Sequence, residues 1–254
     1  MTRIIAKLVA VFFVTLLHIA PLFAAPVTYI ANGGSGTTCT SAAPCGSLSA
    51  ALGVDNGGQI TCLDPNTTAE ISILFSGSVT IDCLGLNLAG TSGSVGLILD
   101  GTNQVVKIRN LAMSGVSGGL SAISFTGSGT LILENCVLEN LTGTALDIEP
   151  TGPLNLVIRN SRISNNASGM LLKPAAGGSI KATFDHVVIT SNNGGGIKSD
   201  STNGVVNLDI SDSEISNNGG NGINLVGSAN QNMLNVSRTI IAKNAVAGRG
   251  GPTS

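Results

Sequence analysis

Six segments of this chain repeat one motif at near-constant spacing. They are "VVKIRNLAM", "LILENCVL", "LVIRNSRI", "ATFDHVVI", "LDISDSEI" and "LNVSRTII". Each runs apolar-x-apolar-x-polar, with a further apolar residue three places on. The second apolar residues are Ile108, Leu133, Ile158, Phe184, Ile210 and Val236, at steps of 25, 25, 26, 26 and 26 residues. Weaker matches precede them at Ile60 ("GQITC") and Ile81 ("VTIDC"). The alternation inside a unit has period two, which predicts a strand. A second short strand follows in each unit: "AISF", "ALDI", "GMLL", "GIKS" and "GINL". Strands of this kind cannot bury an inner face alone, but stacked repeats can. The predicted class is all-β, a right-handed parallel β-helix of about eight coils with a short N-terminal helical cap.

Val106, Leu131, Leu156, Ala182, Leu208 and Leu234 share the inward face with the six anchors. Beyond the N-terminal segment the aromatics are Tyr29, Phe75, Phe125 and Phe184, with no Trp, so the filling is aliphatic. Gly and Asn cluster between strands ("SNNASG", "SNNGGG", "SNNGGNG") and supply left-handed backbone angles for corners. A leucine-rich repeat is the rival solenoid. Its Leu-x-Leu framework and Asn spacing are absent.

Asp185 and His186 look like an acid/base pair. The repeat gives them another reading. Successive coils place Asn110, Asn135, Asn160, His186, Asp212 and Arg238 at one polar turn position, so His186 is a rung in a stack of side chains. Asp185 falls in the outward series Arg109, Glu134, Arg159, Asp185, whose alternating signs predict an exposed ion ladder. On this reading the two neighbours point in different directions.

The chain starts with Arg3 and Lys7, an apolar run from Leu8 to Ala20 and the small residues of "PLFAA", an export-signal pattern. The run is too short to span a membrane of about 30 Å. The expected division is residues 1–25 as signal peptide, 26–244 as β-helix with its cap over 26–58, and 245–254 as a flexible tail. Without Arg3 and Lys7, ten basic residues face fourteen acidic ones. Nucleic acid and anionic lipid need clustered positive charge and are not expected partners. Ser47 is placed to cap a short helix with Leu48, Ala51 and Leu52 on one face. Export allows disulfides. Cys39 and Cys45 are close within the cap, and Cys62 and Cys83 hold one turn position in consecutive coils. Cys136 is left as a buried thiol. Zinc would need nearby His or Cys-x-x-Cys pairs, which are absent; no metal and no cofactor is expected. The "AVAGRGGPTS" end shows no cap, and the expectation there is fraying or end-to-end self-association.

The segment "TYIANGGSGTTCTSAAPCGSLSAAL" together with the repeats resembles the secreted bacterial right-handed β-helix proteins of the pectate-lyase-like superfamily. The resemblance implies an extracellular, periplasmic or cell-surface location. That superfamily holds lyases, hydrolases, tailspikes and non-catalytic surface proteins, so fold does not select function. Pectate-lyase-like elimination implies a carboxylate cluster for calcium and a base. Asp185-His186 is similar to an Asp-His dipeptide of those enzymes, but Arg159 and Ser211 hold the matching outward positions in adjacent coils. The Asp-Asp step and Gly-His-Gly of polygalacturonases are missing, and an autotransporter passenger would need barrel strands that the sequence lacks. The expectation is a non-enzymatic β-helix with a structural or binding role, its partner a polysaccharide or surface component. The alternative is a lyase or hydrolase of acidic polysaccharide using Arg159, Arg162, Asp185 and His186.

Overall fold

The computed structural model describes residues 26–54, 57–64, 67–68, 72–84, 87–91, 95–117, 121–227 and 232–245. The expected signal peptide and the tail beyond Ala245 lie outside them. Strands wind into three all-parallel sheets of nine, eight and seven strands, each neighbour coming from the next coil. The first sheet carries the repeat anchors. Ile108 pairs with Leu133, Leu133 with Ile158, Ile158 with Phe184, Phe184 with Ile210 and Ile210 with Val236. Six regular turns follow two less regular ones, and the last described turn stops after its second strand, Ile240–Ala242. The coil count is therefore slightly below the eight expected.

Each sequence motif forms two strands where one was expected. Asn110, Asn135, Asn160, His186, Asp212 and Arg238 all adopt positive φ, between 45° and 57°. This left-handed residue breaks the extended run. The chain then starts the second sheet, as in Val137–Glu139 and Val188–Thr190. The apolar residue three places on, such as Leu138 or Ile189, is the inward residue of that sheet.

The core is three stacks of aliphatic side chains. Ile81, Ile108, Leu133, Ile158, Phe184 and Ile210 form one column, all buried. Phe184 is larger than its neighbours in the column. Its in-strand companion Ala182 is smaller than the Leu156 and Leu208 that flank it. The exchange keeps the layer's volume nearly constant, as a close-packed interior requires. Ser47 Oγ accepts the Ala50 N–H at 3.1 Å and caps the helix Leu48–Val54. The buried Leu48, Ala51 and Leu52 close the N-terminal end. Disulfides join Cys39 to Cys45 and Cys62 to Cys83, and Cys136 is a buried free thiol.

The principal side-chain ladder lies at the other corner from the one expected. Asn166, Asn192 and Asn218 are 0%, 1% and 2% exposed and stack with Asn244. Asn192 Oδ1 accepts from Asn166 N and Nδ2, both at 3.0 Å. Its Nδ2 donates to Asn218 Oδ1 at 2.9 Å and to the Ile163 carbonyl at 3.4 Å. Every bonding capacity of the amide is used, so a polar residue can sit where water does not reach. The residues just before the ladder, Asn165, Ser191 and Asn217, take the left-handed angles. The corner glycines have another task. A Cβ on Gly169 would lie 2.2 Å from the Gly196 carbonyl oxygen of the next coil. Glycine there lets the coils approach.

Replacing Asn192 with Ala orphans buried groups on both sides, each costing about 1–3 kcal/mol. We expect a loss of about 3 kcal/mol or more by urea denaturation. Asn160→Ala at the exposed corner should cost only the left-handed backbone penalty, about 1–2 kcal/mol. Equal losses would refute the buried ladder's role.

Candidate functional site

The repeat register sets Arg159, Asp185, Ser211 and Ser237 side by side on the outer edge of the first sheet. The corner residues His186, Asp212 and Arg238 follow them. Asp185 and His186 do not diverge as the alternation suggested. His186 carries positive φ, which swings its ring back, and Nδ1 lies 2.8 Å from Asp185 Oδ1. A carboxylate only accepts, so Nδ1 carries the proton in this pair. Ser211 Oγ donates to the same carboxylate oxygen at 3.4 Å.

The ion ladder is shorter than expected. Arg109 Nε donates to Glu134 Oε2 at 2.8 Å, and Arg159 reaches Glu134 Oε1 at 3.4 Å. Asp82 lies 4.0 Å from Arg109 at the lower end. Arg159 is thus engaged below, and Asp185 turns to His186. Burial alone would raise the Glu134 carboxyl, but the Arg109 hydrogen bond and charge, with Arg159, hold it below its ordinary value. Arg162 lies around the corner on the second sheet, where its Nε donates to Ser164 Oγ at 3.0 Å. Of the four candidates, the structure joins Asp185 and His186, ties Arg159 to Glu134 and sets Arg162 apart.

Asp212 and Arg238 complete the cluster and were not among the candidates. The 26-residue step from His186 was the signal that could have found them. One ligand atom from each of Asp185, His186 and Asp212 lies within 4.8 Å of the others. Arg238 donates through Nε and a terminal nitrogen to the two oxygens of Asp212, both at 2.7 Å. This fork holds the Asp212 carboxyl below its usual range. A hard cation such as calcium wants about six to eight oxygen ligands. Here it would find an imidazole nitrogen, an aspartate bound to that imidazole, and an aspartate neutralised by arginine. The donor set does not fit calcium, and no step through a metal follows.

Beside this corner two shallow furrows share Lys181 and Asn207 on the outer face of the first sheet. Each is about 270 Å³. Asn155, Thr183, Asp209 and Asn235 add hydrogen-bonding groups, and no aromatic side chain lines either furrow. On the third sheet Asp147 is half-buried, and its Oδ1 has no hydrogen-bond partner. Burial raises its carboxyl above the ordinary value, Glu149 adds to the shift, and Lys173 opposes it. Burial also pushes the Cys136 thiol up to about 11, which makes it unreactive. Among the described residues no helix is long and apolar enough to cross a membrane.

The sequence profile described as "Right handed beta helix region" matches residues 95–249. The crystal structure of pectate lyase Pel9A superposes with a TM-score of 0.57 at 16% identity, covering 88% of this chain and 78% of that one. At that identity the likeness concerns fold alone. No curated protein matches the chain.

Two outcomes are expected. Arg238→Met should free Asp212 to titrate near the ordinary aspartate value of about 3.9, followed by carboxyl carbon NMR. An Asp212 that still titrates well below that value would show that another group holds it down. Asp147→Asn should stabilise the fold at pH 7 by about 1 kcal/mol or less, since half the group is still solvated. Because the folded carboxyl is raised, protonation below its pKa favours the native state, so the gain should shrink as pH falls. Thermal melts at several pH values read both.

Proposed function

The chain belongs to the right-handed β-helix family, and on that footing we propose that it is a secreted or cell-surface scaffold that binds and does not catalyse. The ligand class we assign is polysaccharide, held along the outer face of the first sheet. The observation that carries the reading is the Asp212–Arg238 fork. The one cluster resembling a catalytic site has its second carboxylate closed by two 2.7 Å bonds to its own arginine. His186 is exposed at the corner, where no cleft excludes water. The furrows supply amides, hydroxyls and one lysine, groups that match sugar hydroxyls and scattered carboxylates. Two disulfides and the export-like N-terminal segment support the location.

The alternative is a lyase or hydrolase acting on an acidic polysaccharide. The close approach of Asp185, His186 and Asp212 favours it, with His186 Nε2 left unprotonated as the base. Incubation with pectin, alginate and related polymers, with and without calcium, separates the two. Our reading expects retention of the protein on one of these polymers in affinity electrophoresis, with no release of unsaturated or reducing ends. Product formation that disappears in a folded His186→Asn variant would establish the alternative. That variant should fold, because Asn occupies the same left-handed position in neighbouring coils.

A further inference from the structure

The two ends of the solenoid are unlike. At the N-terminal end the helix Leu48–Val54 and the Cys39–Cys45 loop cover the first strand, Val27–Ile30. At the other end the strand Asn232–Ser237 has no further strand beside it among the described residues. The inward column that is 1% exposed at Ile210 is 37% exposed at Val236. Leu234 and Ile241 are only partly buried. The residues Val246 to Ser254 are fewer than the 25–26 of one coil and include Gly248, Gly250, Gly251 and Pro252, poor material for a strand.

The direction of the unpaired backbone groups can be read from the pairing below. The Ser237 carbonyl accepts from Asp212 N, so it points toward the preceding coil. Backbone groups alternate sides along a strand. The N–H and C=O of Leu234 and Val236 therefore point out of the open end, while those of Asn235 point inward along the stack. We propose that this edge binds a second copy of itself, tail to tail, through an antiparallel pair of Asn232–Ser237 strands. One register satisfies every constraint. With Asn235 on the twofold axis, Leu234 of each copy faces Val236 of the other. Both are inward residues, so the two cores meet. Both also present outward-pointing backbone groups, so each such pair exchanges two hydrogen bonds, with the non-bonded Asn235 pair between them, as antiparallel ladders require. Head-to-tail stacking is blocked by the helical cap. The contact therefore closes as a dimer and does not propagate into a fibre.

A six-residue strand and its adjoining core end fall short of the roughly 20–30 residues per side of a standard interface. The dimer is therefore weak and concentration-dependent. Sedimentation of the chain from about 1 µM to about 1 mM should show mass rising to twice the monomer and stopping there. Asn235→Cys gives a sharper reading. In a non-bonded antiparallel pair the two α-carbons are about 4.5 Å apart, within disulfide reach. Mild oxidation should yield a covalent dimer from Asn235→Cys. It should yield none from Asp209→Cys, one strand below on the same outward column. Both positions face outward, so neither variant threatens the core. Removing Val246–Ser254 should leave dimerisation intact. A monomer at all concentrations, growth past the dimer, cross-linking from both positions or neither, or a dimer seen only after that removal would each overturn the proposal. The last result would make the chain's own C-terminal segment the occupant.

Discussion

Everything in this molecule depends on the parallel hydrogen-bond ladder between one coil and the next. A strand here has no sequence-local partner. Its backbone groups are satisfied only by residues about 25 positions away on either side. That sets the coil length, because a coil of the wrong length would put outward residues inside. The first sheet obeys this most strictly. The third sheet is looser: Ile123 pairs with Leu146, 23 residues on, whereas Met170 pairs with Ile197, 27 residues on. Length variation is absorbed in the corners that flank it, and the first two sheets keep step.

The corners solve a harder problem than the strands. A chain turning through about a third of a circle must point some backbone groups inward, where water cannot reach them. The buried asparagines answer this one coil at a time, each accepting from the coil below and donating to the coil above. Leu141 N–H is met by Asn166 Oδ1, so even a coil lacking the asparagine is served by its neighbour. The exposed corner needs less. There Asn135 donates to Asn110 at 3.2 Å, and later coils substitute His186, Asp212 and Arg238. The histidine and aspartates at that corner therefore come from a position that tolerates variety.

The fold was legible because period two and period 25–26 coexist in one sequence. Anchors from Ile108 to Val236 pair in the register their spacing implied, and the cap helix carries the face formed by Leu48, Ala51 and Leu52. Cys62 and Cys83 meet because they share a corner position. The ladder's location was not legible. Two asparagines adjoin in "SNNGGG", and only backbone angles reveal that Ser191 takes the left-handed turn and Asn192 goes inside. The Asp185–His186 contact was missed for a related reason. Strict alternation predicts divergence, and a positive φ at the second residue cancels it. Arg238 was placed in the right column without its role, because a bidentate fork is a matter of side-chain reach.

The central claim is that each coil is held by its two neighbours, so stability should fall toward an end that lacks one. Amide hydrogen exchange along the chain, in a solution dilute enough to hold monomer, measures this directly. The account predicts the slowest exchange in Pro153–Arg159 and Ser179–Asp185, which have neighbours on both sides. Exchange should be markedly faster in Asn232–Ser237 and intermediate at the capped strand Gln59–Cys62. Protection in Asn232–Ser237 equal to that of the central strands would contradict it.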